Sequence, residues 1–166
     1  TLLAFILYAL IVFISHATNI SRSAYTDTRT GLANRLRWNE LMRDDAPISE
    51  PFGILLLDLN GLKKVNDTLG HEAGDRMIFH FANILRNTLP GSSVICRWGG
   101  DEFAVFLPGI DREKLDQQTQ NLFAAAQNYN AENPDLPIHF ALGAALSADQ
   151  KRISGLYSLL PARRLL

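Results

Sequence analysis

Arg97-Trp98-Gly99-Gly100-Asp101-Glu102-Phe103 is the stretch on which the fold turns. Ahead of it, Ser93-Val94-Ile95-Cys96 is rich in β-branched residues, and Phe103-Ala104-Val105-Phe106-Leu107 follows as a second apolar run. Two such runs joined by a Gly-Gly pair predict a β-hairpin, the glycines supplying the positive φ angles of a tight turn and leaving the backbone open to a ligand. Asp101 and Glu102 then fall at the exit of the turn. Two carboxylates are costly at a hairpin tip unless something positive sits there. Taken alone, these residues read as readily as a solvated acidic turn.

A second group, some forty positions earlier, changes that balance. Phe52-Gly53-Ile54-Leu55-Leu56-Leu57-Asp58-Leu59 is an apolar run closed by an acid, the pattern of a strand buried on both faces, with Asp58 where the strand leaves the core. If this strand lies beside the hairpin, Asp58, Asp101 and Glu102 meet at one sheet edge, and like charges so close favour a divalent cation. Oxygen ligands without Cys or His point to magnesium or manganese, and magnesium usually arrives with phosphates. Gly61 to Gly74 reads as a polar, turn-rich loop, dense in functional groups: Lys63, Lys64, Asn66, Asp67, His71 and Glu72, with Asp75 just beyond. Its backbone N–H groups and Lys63 suit a polyphosphate, while Asn66 and Asp75 carry the donors and acceptors that a purine edge such as guanine needs. Each residue alone has a structural use, Asn66-Asp67 as a turn, Asp75 as a helix cap, His71 in capping or packing. Together they point to metal-assisted nucleotidyl transfer.

Elsewhere, periodicity places the remaining elements. Trp38, Leu41 and Met42 recur at helical spacing, predicting a helix from Asn34 to about Arg43, and Asp44 to Pro51 is a loop with two prolines. Met77, Phe81, Ile84, Leu85 and Leu89 mark one face of a helix from Ala73 to Leu89, to whose structure His80 belongs. Pro108-Gly109 closes the hairpin. Leu115, Leu122, Ala126 and Tyr129 give a helix from about Arg112 to Ala131, which Asn133-Pro134-Asp135 breaks, and Ile138, Phe140 and Leu142 alternate as a strand. The order is helix, strand, helix, strand-turn-strand, helix, strand. That is an α/β or α+β fold with a central β-hairpin and helices covering the sheet.

A chain of 166 residues fits one domain with an appendage. Sixteen Lys and Arg against 17 Asp and Glu leave a net charge of -1, without the basic excess of a nucleic-acid binder. The single cysteine, Cys96, excludes an internal disulfide, fits a reducing compartment and reads as a small apolar strand residue. From Leu2 to Ile14 every residue is apolar, and no charged side chain precedes Arg22. A spanning helix needs ~20 apolar residues. The run is shorter, but the chain starts at Thr1 rather than Met, which reads as the tail of a longer segment. Arg22, Arg29, Arg35 and Arg37 follow as a cytoplasmic flank would. A membrane anchor therefore leads over a buried core helix and over a signal peptide, which would lack its basic start.

The motifs themselves resemble those of a known family. Arg97 to Phe103 matches the GGDEF signature. Asp58-Leu59-Asn60-Gly61-Leu62-Lys63-Lys64-Val65-Asn66-Asp67-Thr68-Leu69-Gly70-His71-Glu72-Ala73-Gly74-Asp75 is similar to the family's Asp-x-Asp-x-Phe-Lys-x-x-Asn-Asp-x-x-Gly-His-x-x-Gly-Asp stretch, and Asp27 to Arg35 resembles its opening Asp-x-Leu-Thr-Gly-Leu-x-Asn-Arg, with Arg29 in place of Leu. The resemblance implies a sheet like that of nucleotidyl cyclases and the polymerase palm. It also implies a diguanylate cyclase, which condenses two GTP into cyclic di-GMP and two pyrophosphates at a homodimer interface. Carried over, Asp58, Asp101 and the backbone carbonyl of Leu59 hold magnesium (or manganese). Asn66 and Asp75 read guanine, His71 lies near the substrate, and Lys63 with the backbone of Gly61 and Leu62 meets phosphates. Gly100 lies against the substrate at the tip, and Asp101 and Glu102 are the catalytic acids, with the general base left open. The implied layout is residues 1–20 as the end of a transmembrane helix, 21–33 as a linker and 34–166 as the GGDEF domain, facing the cytoplasm from a bacterial inner membrane.

Four departures qualify this. Arg29 is one. Asn60 replaces the second acid of the long motif, and Gly61 and Leu62 stand near its usual aromatic. Pro90-Gly91-Ser92-Ser93 replaces the Arg-x-x-Asp of members inhibited by their product, so feedback through that site is not expected. The closing basic motif has no convincing match in Gly155 to Leu166, where Arg163 and Arg164 are the only late cations. A catalytically impaired GGDEF domain, serving as a GTP-binding regulatory or dimerisation module, is the alternative; another palm-type transferase would explain the carboxylates but not Asn66, His71 and Asp75 together.

Overall fold

The computed structural model describes residues 4, 6–12, 24–43 and 50–147. In chain order the elements are β1 (Ala33–Asn34), α1 (Arg35–Arg43), β2 (Phe52–Leu59), α2 (Leu62–Leu69), α3 (His71–Thr88), β3 (Val94–Arg97), β4 (Glu102–Pro108), α4 (Arg112–Glu132) and β5 (Phe140–Leu146). The apolar β2 run is buried because it is central, with antiparallel neighbours on both sides, β4 on one and β5 on the other. The sheet runs β1-β3-β4-β2-β5, and only β1 and β3 pair in parallel. This is a mixed α+β fold built on a five-stranded sheet.

Pleating divides the core between two faces. Leu55, Leu57, Leu59, Phe103, Val105 and Leu107 face α3 and α4, meeting Met77, Phe81 and Leu85 of the first and Leu115 and Leu122 of the second. Ile54, Cys96, Ala104 and Phe106 face the other way, against Trp38 of α1. Phe103, the last residue of the signature, is a core residue. Its ring meets Phe81 edge to face at 4.9 Å, and Phe81 in turn packs on Phe140.

Several expected elements stand as drawn, and three differ. Residues 61–74 are not a loop: Leu62–Leu69 forms α2, and α3 begins at His71 rather than Ala73. Leu62 and Val65 supply the apolar face of α2, but the polar residues between them mask the period. Gly61 and Gly70, at φ 81° and 83°, bound the helix in a conformation that other residues adopt only with strain. In the hairpin the correction is reversed: neither Gly99 nor Gly100 has a positive φ. The last strand starts at Phe140 and runs to Leu146, because the backbone N–H and carbonyl of Ile138 are taken by the Asn130 side chain at 2.7 and 2.9 Å. Of the stretch expected as a linker, Thr30 and Leu32 are buried, Leu32 in the larger core.

Among the described residues no helix is long and apolar enough to cross a membrane. Residues 6–12 are helical, with Ile6, Leu7, Tyr8, Leu10, Ile11 and Val12 all exposed. The rest of the apolar run lies outside the described residues, as do 44–49, most of the expected two-proline loop, and 148–166, where the closing basic motif was sought.

Truncating the signature phenylalanine tests its place in the core. Phe103→Ala lowers unfolding free energy by about 3 to 5 kcal/mol, read from the shift in denaturant midpoint at constant slope. A change below ~1 kcal/mol would place Phe103 outside the core.

Candidate functional site

Register brings the two sequence clusters to one edge of the sheet. Asp58, near the end of β2, is the direct cross-strand partner of Glu102, the first residue of β4, with Ala141 of β5 on its other side. Paired residues of an antiparallel ladder share a face, and like charges so placed repel each other. Leu57 and Phe103, the next pair along, point into the larger core, so Asp58 and Glu102 project from the opposite face, the one that α1 covers. Beyond the ladder the Leu59 N–H donates to the Asp101 carbonyl at 2.9 Å. The hairpin tip is therefore tied to the exit of β2 by backbone as well as by strand pairing.

The tip has its own internal supports. The Trp98 N–H donates to the Glu102 carbonyl at 2.8 Å. The Arg97 side chain reaches around the turn and donates to the Gly100 carbonyl through Nη2 at 2.8 Å and Nε at 3.2 Å. Its Nη1 meets both carboxylate oxygens of Asp27 at 3.3 and 3.4 Å. Asp27 also accepts from the Thr30 N–H at 2.9 Å and its hydroxyl at 2.7 Å. Burial pushes the Asp27 carboxyl up, but the Thr30 hydrogen bonds and the Arg97 charge outweigh that and hold its pKa below the ordinary carboxylate value. Gly100 is exposed, and a Cβ there would meet nothing within 4 Å, leaving the backbone of the tip open to approach. The Cys96 thiol, buried just behind, is pushed up to about 12 by desolvation and then by the nearby Asp27, so it has no nucleophilic role.

The expected guanine-reading residues lie on the α2–α3 pair. Gly70 breaks the chain between the two helices while its N–H donates to the Asn66 carbonyl at 3.0 Å. The Asn66 side chain lies against the backbone of α3 at Gly74: a Cβ on Gly74 would come within 1.9 Å of Asn66 Oδ1. Glycine at 74 thus makes room for the Asn66 amide immediately beside Asp75. Both Asn66 and Asp75 are half-exposed, and Lys63 and His71 are exposed. The amino end of α2, where Gly61, Leu62 and Lys63 sit, has no side-chain cap, leaving its first N–H groups for an anion. It follows Asp58 by only a few residues.

These placements set the Asn66 amide against Gly74, next to Asp75 in the chain, set Asp58 opposite Glu102, and join Asp101 to Leu59. As placed, no group of three or more His, Cys, Asp or Glu among the described residues gathers tightly enough to hold a metal. The donor set nevertheless fits a hard cation. It consists of carboxylate and carbonyl oxygens, and a positive charge at the edge eases the repulsion between its two cross-strand acids.

Four residues to which the sequence reading gave no role in the site matter here. Asp27 and Arg97 lie seventy positions apart, so nothing local announces their pairing. Arg29 forms an ion pair with Asp75, the same residue expected to read guanine. Its signal was visible as a departure from the opening motif. Arg35 stacks its guanidinium over Trp98 at 5.4 Å and, with Arg97, Asp27 and Gly100, lines an open pocket of about 410 Å³ beside the tip. Asp58, Asn66 and Asp75 do not line this pocket.

Comparison with known proteins agrees with the geometry. The protein-family model described as "Diguanylate cyclase, GGDEF domain" matches residues 24–159. The probable diguanylate cyclase DgcT of Escherichia coli K12 is 30% identical over 138 residues, 80% of this chain and 30% of DgcT. Diguanylate cyclase DgcP of Pseudomonas aeruginosa is 31% identical over 147 residues, 86% of this chain and 22% of DgcP. Among solved structures, the coiled coil and GGDEF domain of DgcB from Caulobacter crescentus, in complex with c-di-GMP, matches with a TM-score of 0.81. That match covers 94% of this chain and 86% of the other at 22% identity, a likeness of fold. The chain spans less than a third of the length of the two curated relatives.

The Asp27 junction has a pH signature. Because its pKa is depressed in the folded state, its ionised form contributes fully above the unfolded value of about 4 and loses its contribution as pH falls through the lower folded value. Asp27→Ala costs about 1 to 3 kcal/mol near neutrality. The gap to wild type in denaturant midpoint narrows below about pH 4; a gap of constant size down to strong acid would mean that the charge of Asp27 contributes nothing.

Proposed function

The chain belongs to the GGDEF domain family, and we propose that it is the catalytic domain of a diguanylate cyclase that joins two GTP into cyclic di-GMP with release of two pyrophosphates. The observation that carries this reading is the register of Asp58 with Glu102, reinforced by the Leu59 to Asp101 hydrogen bond. That arrangement sets an acidic edge beside the uncapped start of α2, with the Asn66–Asp75 pair on the helices that follow.

On this reading Asn66 and Asp75 hold the guanine. The N–H groups at Gly61 and Leu62, with the Lys63 ammonium, hold the phosphates. Asp58, Asp101 and the Leu59 carbonyl hold magnesium or manganese. The bound ion supplies the positive charge that eases ionisation of a ribose 3′-hydroxyl and steadies the leaving pyrophosphate. In each of two equivalent steps the hydroxyl loses its proton and its oxygen bonds to the α-phosphorus of the other GTP. The bond from that phosphorus to the β-phosphate oxygen breaks, and one pyrophosphate departs. Asp101 and Glu102 are both half-buried at the tip, and on this reading one of the two acids takes the proton. Gly100, open above its backbone, lets the nucleotide approach. Each subunit of a homodimer presents one GTP to the other.

We further place the domain on the cytoplasmic face of a bacterial inner membrane, held by the apolar start. Six large apolar side chains between Ile6 and Val12 stand uncovered by the domain, which supports a lipid-facing role.

Two measurements test these readings. The full-length dimer, given GTP and magnesium, forms cyclic di-GMP, and Asp101→Ala lowers the rate ~100-fold or more. Absence of product from a dimer that binds GTP would leave a regulatory module instead. On cell fractionation the protein sediments with membranes and deletion of residues 1–20 releases it; a wild-type protein found in the supernatant would remove the anchor.

A further inference from the structure

Arg29 departs from the opening motif, where leucine is usual, and the structure gives that departure a partner: its guanidinium is ion-paired with Asp75. We propose that Arg29 is an internal competitor for the guanine seat, its guanidinium occupying the Asp75 carboxylate that the base must take, so that GTP binds only by displacing it. This rests on the assignment of Asp75 to guanine made above.

The chemistry of the two occupants is the same. The N1–H and 2-amino group of guanine form a planar, guanidine-like set of N–H donors, and a carboxylate accepts either that set or an arginine fork. Arg29 Nη1 takes Asp75 Oδ1, one of the two oxygens that a guanine seated through both of its donors needs. The loop carrying Arg29 is fixed: Asp27 ties Thr30, the Asp27 N–H donates to the Leu32 carbonyl at 2.8 Å, and Arg86 of α3 donates to the Thr30 carbonyl at 2.7 Å. The side chain itself is free to leave, at 56% exposure against 44% for Asp75. An anchored loop bearing a long, half-exposed side chain returns it to Asp75 whenever the nucleotide departs. An exposed pair of this kind is worth ~0.2 to 1 kcal/mol, so the competition tunes affinity rather than closing the site.

The test measures binding of a non-hydrolysable GTP analogue with magnesium to the full chain by calorimetry, at low and high salt. Arg29→Leu tightens binding by about 1.5- to 5-fold at low salt, the range such a pair allows. The gain shrinks at high salt, where screening already weakens the pair in the wild type. Asp75→Asn weakens binding, and adding Arg29→Leu to it brings no further gain. Arg29→Lys, which keeps the charge but not the fork, falls between wild type and Arg29→Leu and carries the test if the leucine variant does not fold. Unchanged or weaker binding by Arg29→Leu, with Asp75→Asn still impaired, overturns the competition and leaves the guanine assignment standing. The same gain in the Asp75→Asn background also overturns it, since Arg29 would then act elsewhere. An Asp75→Asn variant that binds as wild type overturns the guanine assignment and the competition with it.

Discussion

The guanidinium of Arg97 is the joint on which the site depends. A hairpin tip without a single positive φ needs some other means of closing, and two Arg97 donors on the Gly100 carbonyl provide it. The side chain is only 9% exposed, so its charge needs a counter-ion within the fold. Asp27 is that counter-ion, and its own position is fixed by Thr30. One cation thus ties the tip, the opening turn and the end of β3 together. The same tie brings β1 alongside β3, with Ala33 opposite Cys96 and Asn34 opposite Arg97. The signature acids are consequently held from behind by residues that carry no part of the chemistry.

How much of this was legible depends on the range of each interaction. Elements defined by a local apolar period were readable: β2 as an unbroken run, α3 and α4 by their faces, the hairpin by two apolar runs around Gly-Gly. Helix α2 was not, because Lys63, Lys64, Asn66 and Asp67 fill the positions around Leu62 and Val65 and resemble a loop in composition. Strand β1 is two residues long and exists only through β3, so no pattern could announce it. The start of β5 was displaced by a side chain, Asn130, that takes Ile138 out of the ladder.

The site residues follow the same rule. Asn66 and Asp75 were singled out by residue type and spacing, but their closeness depends on Gly74, whose missing side chain has meaning only once the Asn66 amide is known to lie over it. Asp58 and Glu102 were foreseen at one edge, yet their direct opposition comes from register, which apolar patterning alone does not fix. Arg97 with Asp27, and Arg29 with Asp75, are contacts across seventy and forty-six positions. Long-range ion pairs of this kind leave no period in a sequence.

The exposure of the site bears on how it would work. Asp58, Asn66, Asp75, Asp101 and Glu102 are all half-exposed, and Lys63 and His71 are exposed, so water reaches every charged side chain that the proposed reaction uses. Electrostatic assistance is weak in such a setting and strengthens only when water is excluded. The proposed product is symmetric, formed from two identical nucleotides by two identical bonds. A two-fold pairing of identical edges matches both demands, because an isologous interface sets each carboxylate edge against the nucleotide of the other copy while covering both. On this view dimer formation is the step that dries the site as well as the step that brings the second substrate. The groups that one chain leaves open to solvent are those that a second copy would close.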